Sequence, residues 1–153
     1  MKSLELAVPP PIIMLVTALI MWLPSVFLPG LTLPALSSVT AALITVLLGL
    51  GVSMAGILAF KHAHTTPNPR KPGSASTLVT SGVYSFTRNP MYLGILMMLI
   101  AWALFLGNAL SLLFAFAFAL YIHHYQIRPE ERFLQEKFGA DFASYKAKVR
   151  TWI

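Results

Sequence analysis

The sequence predicts an all-α polytopic membrane protein with four transmembrane helices, a long cytoplasmic loop and short C-terminal amphipathic helices. Hydrophobic residues make up 57% of the 153 residues and charged residues only 10%, whereas an ordinary soluble domain carries roughly 25% charged residues. Asp, Glu, Lys and Arg are absent from two long stretches, 6–60 and 89–127. The basic residues flank these stretches and form no dense run, which argues against a nucleic-acid partner.

The first uncharged stretch is long enough for two crossings, because a bilayer core of about 30 Å needs only about 20 apolar helical residues. Residues 29–34 contain two prolines and a glycine, which interrupt a helix. We therefore place the first two spans at about 10–28 and 35–60. Pro24 is expected to kink the first span.

The second uncharged stretch also allows two crossings, divided near Gly107-Asn108. Asn89 is of a type favoured as a helix N-cap, and Pro90 suits a first helical residue. The third and fourth spans are therefore expected at about 90–106 and 109–127, joined by a tight hairpin.

Two polar segments complete the chain, which has room for one domain, 1–153. Prolines and the lack of apolar periodicity in 61–88 predict a long loop. Residues 128–153 predict two short amphipathic helices, the first ending at Gly139.

Four crossings would gather all eleven Lys and Arg residues on one side of the bilayer. The positive-inside rule makes that side cytoplasmic, together with both termini. We expect an integral membrane protein of a prokaryotic inner membrane.

A first candidate site is the start of the third span, Arg88-Asn89-Pro90-Met91-Tyr92, with Tyr84 shortly before it. The free N–H groups of a helix start favour anions. The alternative is purely structural, with a helix cap, an interfacial arginine and tyrosines of an aromatic belt.

A second candidate site is Arg128-Pro129-Glu130-Glu131. Paired carboxylates at the bilayer edge can receive hydroxyl groups or a cation, but acidic residues also stabilise a helix start without any ligand. Because the hairpin is short, the fourth span returns to the interface where the third began. The two candidate sites can therefore share one pocket.

We predict no metal site. The chain has no cysteine, His62 and His64 lie two residues apart, and His123 and His124 are adjacent, so neither pair suits one helix face. Interfacial histidines are the better interpretation.

Several motifs together resemble the isoprenylcysteine carboxyl methyltransferase and phospholipid methyltransferase family of integral membrane enzymes. The resemblance covers about 65–153. It rests on Thr-Thr-x-x-Pro, on Leu-Val-x-x-Gly-Val-Tyr-x-x-x-Arg-Asn-Pro-Met-Tyr-x-Gly, on Glu-Glu-x-x-Leu-x-x-x-Phe-Gly, and on Tyr-x-x-x-Val.

This resemblance implies S-adenosylmethionine as cofactor and methyl transfer to a lipophilic acceptor from the bilayer. The cofactor region would comprise 65–92 and 128–153, with Arg88 and Glu131 in catalytic roles and Arg88 orienting an anionic group. The implied cofactor-binding residues are Val79, Gly82, Tyr84, Asn89, Tyr92, Glu130 and Glu131. Many members have His where this chain has Asn89, and Asn cannot act as a base near neutral pH.

Other readings stay open at this point. The acceptor could be an isoprenylcysteine-like carboxylate, a lipid amine or a thiol. A nicotinamide-dependent membrane reductase of the sterol-reductase type and a non-catalytic membrane scaffold are alternative functions. The sequence does not determine the oligomeric state.

Overall fold

The computed structural model describes residues 5–32, 38–63 and 77–153. These residues form five α-helices and no β-strand, so the predicted all-helical class is confirmed. The helices are α1 (Pro10–Phe27), α2 (Val39–His62), α3 (Pro90–Leu106), α4 (Ala109–Ile122) and α5 (Arg128–Lys148). Short 3-10 helices cover Pro29–Leu31 and Gly82–Ser85, and a π-helical turn covers His123–Ile127.

Helix α1 begins at Pro10, where the missing N–H of proline costs nothing, and includes Pro24. The Leu28 N–H donates to the Pro24 carbonyl and ends the helix. The chain then turns through the 3-10 helix that starts at Pro29. The predicted first span therefore differs from α1 by one residue at its end.

Helix α2 begins later than predicted. Ser38 has extended backbone angles, and its hydroxyl accepts a hydrogen bond from the Ala41 N–H at 3.2 Å. This cap satisfies one free N–H of the first turn, so α2 starts at Val39 and not at the predicted residue 35. Residues 33–37 lie outside the described part of the chain. The helix continues to His62, two residues beyond the predicted end.

Helices α3 and α4 have the predicted hairpin between them. Gly107 adopts φ = 60°, a left-handed conformation that glycine tolerates, and the Asn108 side chain accepts from the Leu110 N–H at 3.0 Å. The expected cap at Asn89 is wrong in one respect. Its side chain does not cap α3, because its amide donates to the Thr151 carbonyl at 3.0 Å instead.

Helix α4 continues into α5 through the π-helical turn without a break. Pro129 lies in the first turn of α5 and has no N–H for the carbonyl of Tyr125, four residues earlier. The Leu6 N–H donates to that carbonyl at 3.0 Å. Within α5, Gly139 has non-helical angles, so the predicted division of this region at Gly139 is present as a kink.

Successive long helices run in opposite directions. In the α2–α3 pair, Ser53 donates to the Met91 carbonyl, and Gly49 lies against Gly94 and Met97. In the α1–α4 pair, Ser111 donates to the Met21 carbonyl at 3.0 Å. At the far end of the same pair, Gln126 donates to the Val8 carbonyl at 2.9 Å. One end of the helices therefore gathers the start of α1, the end of α2, the start of α3 and the end of α4, together with α5. We call it the polar end.

The outer faces of the helices are apolar. Leu15, Leu47 and Phe116 are each more than 60% exposed, while a core cluster that includes Met21 and Leu99 is buried. By length and composition, Pro10–Phe27, Val39–His62 and the continuous helix from Ala109 could cross a membrane. Helix α3 is equally apolar but shorter, at 17 residues. Such a surface suits hydrocarbon as the surrounding solvent.

Candidate active site

The first part of the candidate site is the turn before α3. The 3-10 helix Gly82–Ser85 starts at a glycine with φ = 64°. Beyond it, the hydroxyl of the buried Thr87 accepts from the Asn89 N–H at 3.2 Å. This local hydrogen bond fixes the chain where it enters α3. Arg88 is consequently fixed just before the start of α3, and Tyr92 lies in the first turn of that helix.

The second part is the first turn of α5, which carries Glu130 and Glu131. The Tyr92 hydroxyl donates to Glu130 Oε1 at 2.5 Å, and Arg88 Nη2 pairs with Glu131 Oε1 at 2.6 Å. The two segments, about 40 residues apart in sequence, are therefore joined by two side-chain bonds. The structure thus brings the two candidate sites together.

Every N–H group of the Arg88 guanidinium has a protein acceptor. An arginine side chain offers five such donors. Nε and Nη2 both donate to Glu131, and Nη2 also donates to the Thr151 hydroxyl at 2.8 Å. Nη1 donates to the carbonyls of Val149 and Lys146. The Arg88 side chain is only 7% exposed, and these acceptors account for its burial.

A third segment, residues 149–153, completes this part of the structure. The sequence placed it in the cofactor region but did not predict its bonds to the segment before α3. The Arg88 backbone N–H donates to the Arg150 carbonyl at 3.1 Å. The Thr151 carbonyl accepts from the Thr87 hydroxyl and from the Asn89 amide. Trp152 packs against the buried core. These bonds link residues more than 60 positions apart, so no local pattern could have revealed them.

Lys146 lies in the last turn of α5. Its ammonium group lies 2.9 Å from Glu131 Oε2, so Glu131 is paired with two cations. Burial alone would raise the pKa of Glu131, but hydrogen bonds from Lys146 and Arg88 outweigh it and hold the pKa below its ordinary value. Glu131 is therefore an ionised, fixed acceptor.

Glu130 has a different environment, although it adjoins Glu131. It lies beyond the apolar stretch that ends at residue 127 and has no cationic partner among the described residues. Burial raises its pKa to about 7, against the hydrogen bond from Tyr92, which favours the ionised form. Its second carboxylate oxygen receives no hydrogen bond from the described residues, so it is available to a ligand.

Tyr84 is buried behind these carboxylates. Its ring meets Phe60 of α2 edge-to-face at 5.3 Å, and its carbonyl accepts from the Tyr145 hydroxyl at 2.6 Å. Burial raises the pKa of Tyr84 well above its usual value and that of Tyr145 to about 12. Both side chains stay neutral near physiological pH and can only donate, accept or stack.

Two further predicted cofactor-binding residues, Val79 and Gly82, precede Tyr84 in the chain. Gly82 lines a cavity of about 430 Å³ against the end of α2, together with Ala59 and His62. Val79 is buried. Among the described residues, no hydrogen bond joins either one to Glu130 or Glu131, and residues 65–76 of the predicted cofactor region lie outside the description.

The described residues contain no cluster of three His, Cys, Asp or Glu side chains able to hold a metal ion. What the polar end offers is a fixed ionised carboxylate beside a titratable one, with tyrosine rings nearby. Such a set can hold a ligand that carries hydroxyl groups and positive charge.

Comparison with known proteins places this arrangement in a family. The profile of the phospholipid methyltransferase family matches residues 37–141, which include both the Arg88 and the Glu131 segments. The chain belongs to the phospholipid methyltransferase family. The resemblance drawn from the motifs is confirmed at this level, and with its apolar helices the chain is an integral membrane member of the family.

Two relatives of this family member are informative. An uncharacterized protein of Haemophilus influenzae is 48% identical over 63 residues, which is 41% of this chain and all of that protein. The protein-S-isoprenylcysteine O-methyltransferase of Saccharomyces cerevisiae is 44% identical over 80 residues, 52% of this chain. The matched region is 33% of the yeast protein. No solved structure matches the chain.

Proposed function

We propose that this protein transfers a methyl group from S-adenosylmethionine to a lipophilic acceptor at the cytoplasmic surface of a membrane. The observation that supports this most is the pairing of Tyr92 with Glu130 and of Arg88 with Glu131. Family membership supplies the methyltransferase class. The pairing supplies a site at the end of the helices where a lipid headgroup would lie.

The residues present fit this cofactor. S-adenosylmethionine carries an ammonium group, ribose hydroxyls and an adenine amino group, all of which donate hydrogen bonds. The free oxygen of Glu130 offers an acceptor, and Glu131 supplies fixed negative charge. Neutral tyrosine rings at Tyr84 and Tyr92 can pack against cationic or aromatic groups. In this proposal the segment before α3 forms one wall of the cofactor site. Val79, Gly82 and Asn89 lie in that segment.

When bound, S-adenosylmethionine supplies an activated methyl group on a sulfonium, so the protein chiefly provides alignment and a dry site. Glu131 is held by Arg88 and Lys146 and therefore cannot swing away from the ligand. Glu130 gains charge as the ligand's cationic or hydroxyl groups approach, because such groups favour the ionised carboxylate. Tyr92 orients it through the 2.5 Å hydrogen bond.

Membrane placement follows from the charge distribution. We propose that α1, α2, α3 and α4 cross the bilayer and that the polar end faces the cytoplasm of a prokaryotic cell. The Lys and Arg residues among the described positions all lie at that end. The opposite turns, around Gly30 and Gly107, carry none. The positive-inside rule then assigns the side.

Two acceptor classes suit the site. A carboxylate of an isoprenylcysteine-like molecule attacks the methyl carbon directly and releases no proton. A lipid amine must attack as the neutral base, and its methylated product carries a proton to be released. The yeast relative is named for O-methylation of an isoprenylcysteine, which agrees with the first class. The family is named for phospholipid acceptors, and some phospholipid headgroups carry an amine.

Membranes containing the protein, incubated with isotopically labelled S-adenosylmethionine, test the proposal. We expect label in the lipid extract, with the mass of the labelled product identifying the acceptor. Glu131→Gln should reduce the label at least tenfold, because the amide cannot form the two ion pairs that fix this side chain as an acceptor for the cofactor. Glu136→Gln removes an exposed carboxylate of the same helix and should change nothing.

Two outcomes would contradict the proposal. Equal labelling in the wild type and in Glu131→Gln would remove this carboxylate from the site. Absence of labelled lipid, with NADPH oxidised by the same membranes in a protein-dependent manner, would favour the reductase alternative.

A further inference from the structure

We infer that Arg88 acts as a positioning residue for Glu131, and that Thr151 and Lys146 complete a clamp around this ion pair. We call Arg88, Glu131, Lys146 and Thr151 the clamp. Because the clamp would hold the Glu131 carboxylate against the cofactor, the inference rests on the proposed function. It assigns roles to Lys146 and Thr151, which lie beyond residue 141, where the family match ends.

Arg88 has no unused hydrogen-bond donor. All five of its N–H donors are directed at protein acceptors. An anionic group of a ligand could bind Arg88 only by displacing one of them, which would leave a backbone carbonyl or Glu131 without its partner. Except at the exposed Lys146 carbonyl, 3.5 Å away, the displaced acceptor would be left unpaired in a part-buried setting. That loss costs more than an ordinary hydrogen bond returns. Arg88 is therefore not the residue that receives an acceptor's carboxylate.

Thr151 binds this region in two ways. Its hydroxyl accepts from Arg88 Nη2 at 2.8 Å, and its carbonyl accepts from Asn89 at 3.0 Å. The carbonyl bond explains why Asn89 does not cap α3. The hydroxyl bond fixes the rotation of the guanidinium plane, so that Nε and Nη2 both meet Glu131.

Lys146 reaches the opposite oxygen of Glu131, Oε2, at 2.9 Å, whereas Arg88 binds Oε1. With one cation on each oxygen, the carboxylate can neither rotate nor become protonated readily. Lys146 is half exposed and Arg88 is buried, so the lysine closes the side of the pair that faces solvent.

The hydroxyl of Thr151 provides a specific test. Thr151→Val keeps the shape of the side chain and the backbone carbonyl but removes the hydroxyl, whereas Thr151→Ser keeps the hydroxyl. Titration calorimetry of S-adenosylmethionine in detergent should show affinity about tenfold weaker in Thr151→Val, as expected for one charge-assisted hydrogen bond. Affinity in Thr151→Ser should stay within about twofold of wild type.

A second pair tests the lysine. Lys146→Met should weaken S-adenosylmethionine binding about fivefold, an effect within the range of an ion pair at a partly exposed position. Lys148→Met removes an exposed charge two residues away. This variant should bind S-adenosylmethionine like the wild type. Equal affinities in Thr151→Val and Thr151→Ser, or in Lys146→Met and Lys148→Met, would overturn the clamp.

Hydrogen–deuterium exchange separates this inference from the proposed function, because it needs no cofactor. The Arg88 N–H donates to the Arg150 carbonyl, so loosening of the segment 149–153 should speed exchange at Arg88. We expect faster exchange in Thr151→Val and not in Thr151→Ser. A wild type that failed to bind S-adenosylmethionine would contradict the proposed function, whereas unchanged exchange in Thr151→Val would contradict the clamp.

Discussion

Along the interface between α2 and α3 the two backbones approach because side chains are missing, whereas at the polar end the elements are joined by side chains that reach across. A Cβ atom placed on Gly94 would collide with Ser53 and with the Gly49 carbonyl. At the polar end, Arg88, Tyr92 and Glu131 bridge segments that are otherwise apart. Close helix contact through small residues is the usual solution in lipid, while polar bridges suit a ligand site.

The two regions should therefore be destabilised by different kinds of substitution. The α2–α3 interface should be sensitive to added volume and indifferent to charge nearby. The polar end should be sensitive to the loss of single polar atoms at constant volume. Three substitutions, in descending order of their expected cost, and one pH dependence test this contrast.

Arg88→Met should have the largest effect on stability. It leaves Glu131 Oε1 and the Val149 carbonyl without Arg88 in a part-buried setting, although Lys146 still pairs with Glu131 Oε2. Breaking a buried pair of this kind costs about 3 kcal/mol or more. Thermal unfolding in detergent measures the loss. Arg132→Met breaks the exposed pair with Glu5, in which Arg132 is 57% exposed, and should cost less than about 1 kcal/mol. Similar losses in the two variants would refute the assignment of Arg88 to a buried network.

Gly94→Ala should come next, at about 2 kcal/mol, since the new methyl group must push the neighbouring backbone away. The matched control is Gly51→Ala in α2, where an added Cβ meets nothing within 4 Å. That change should be neutral or slightly stabilising, because alanine favours a helix over glycine. If both variants melted alike, close packing of α2 on α3 would not hold.

Tyr92→Phe should cost about 1 kcal/mol, the net value of one hydrogen bond, because only the bond to Glu130 is removed. Tyr125→Phe removes a hydroxyl that bonds to none of the described residues and serves as the control. The comparison is made by thermal unfolding near pH 7. A loss confined to Tyr125→Phe would contradict the described geometry.

The pH dependence of stability provides the fourth test. Burial raises the pKa of Glu130 from 4.5 to about 7, so the folded state holds this proton more tightly than the unfolded state. Its contribution to stability is fully present below the unfolded pKa and is lost as pH rises through about 7. The melting temperature of the wild type, measured relative to Glu130→Gln, should therefore fall between about pH 5 and pH 8.

A melting temperature that rises over this pH range, relative to Glu130→Gln, would contradict a raised pKa of Glu130. Glu131 does not contribute to the change in stability over this pH range. Its pKa is lowered, so its contribution is lost only as pH falls below the unfolded value. The other ionisable groups are the same in both proteins and cancel in the comparison.

The sequence was informative where a local rule applied. Apolar length and proline positions predicted α1 and α3 to within a residue, and Gly107-Asn108 predicted the hairpin that returns α4 to the start of α3. This short return is why the Arg88 and Glu131 segments could be expected to meet. The structure describes α2 from Val39, directly after the Ser38 cap, whereas the start predicted at residue 35 lies outside the described part of the chain.

The clamp could not be predicted from the sequence. Thr151 and Lys146 lie in no apolar or polar period that points to Arg88, and the bonds of Arg88 with Thr151 and Lys146 span 63 and 58 residues. Asn89 illustrates the same limit. Asparagine is favoured as a helix cap, but the Asn89 side-chain amide donates a hydrogen bond to the distant Thr151 carbonyl. Long-range partners of this kind follow from the fold and not from local propensity.

The central claim is that the segment before α3 and the first turn of α5 form one binding unit. A double-mutant cycle on S-adenosylmethionine affinity, measured by titration calorimetry for Tyr92→Phe, Glu130→Gln and the double variant, tests it directly. The account predicts that the double variant binds no more weakly than Glu130→Gln alone, because Tyr92 acts through Glu130. Losses that add up independently, or affinities unchanged in all three variants, would contradict it.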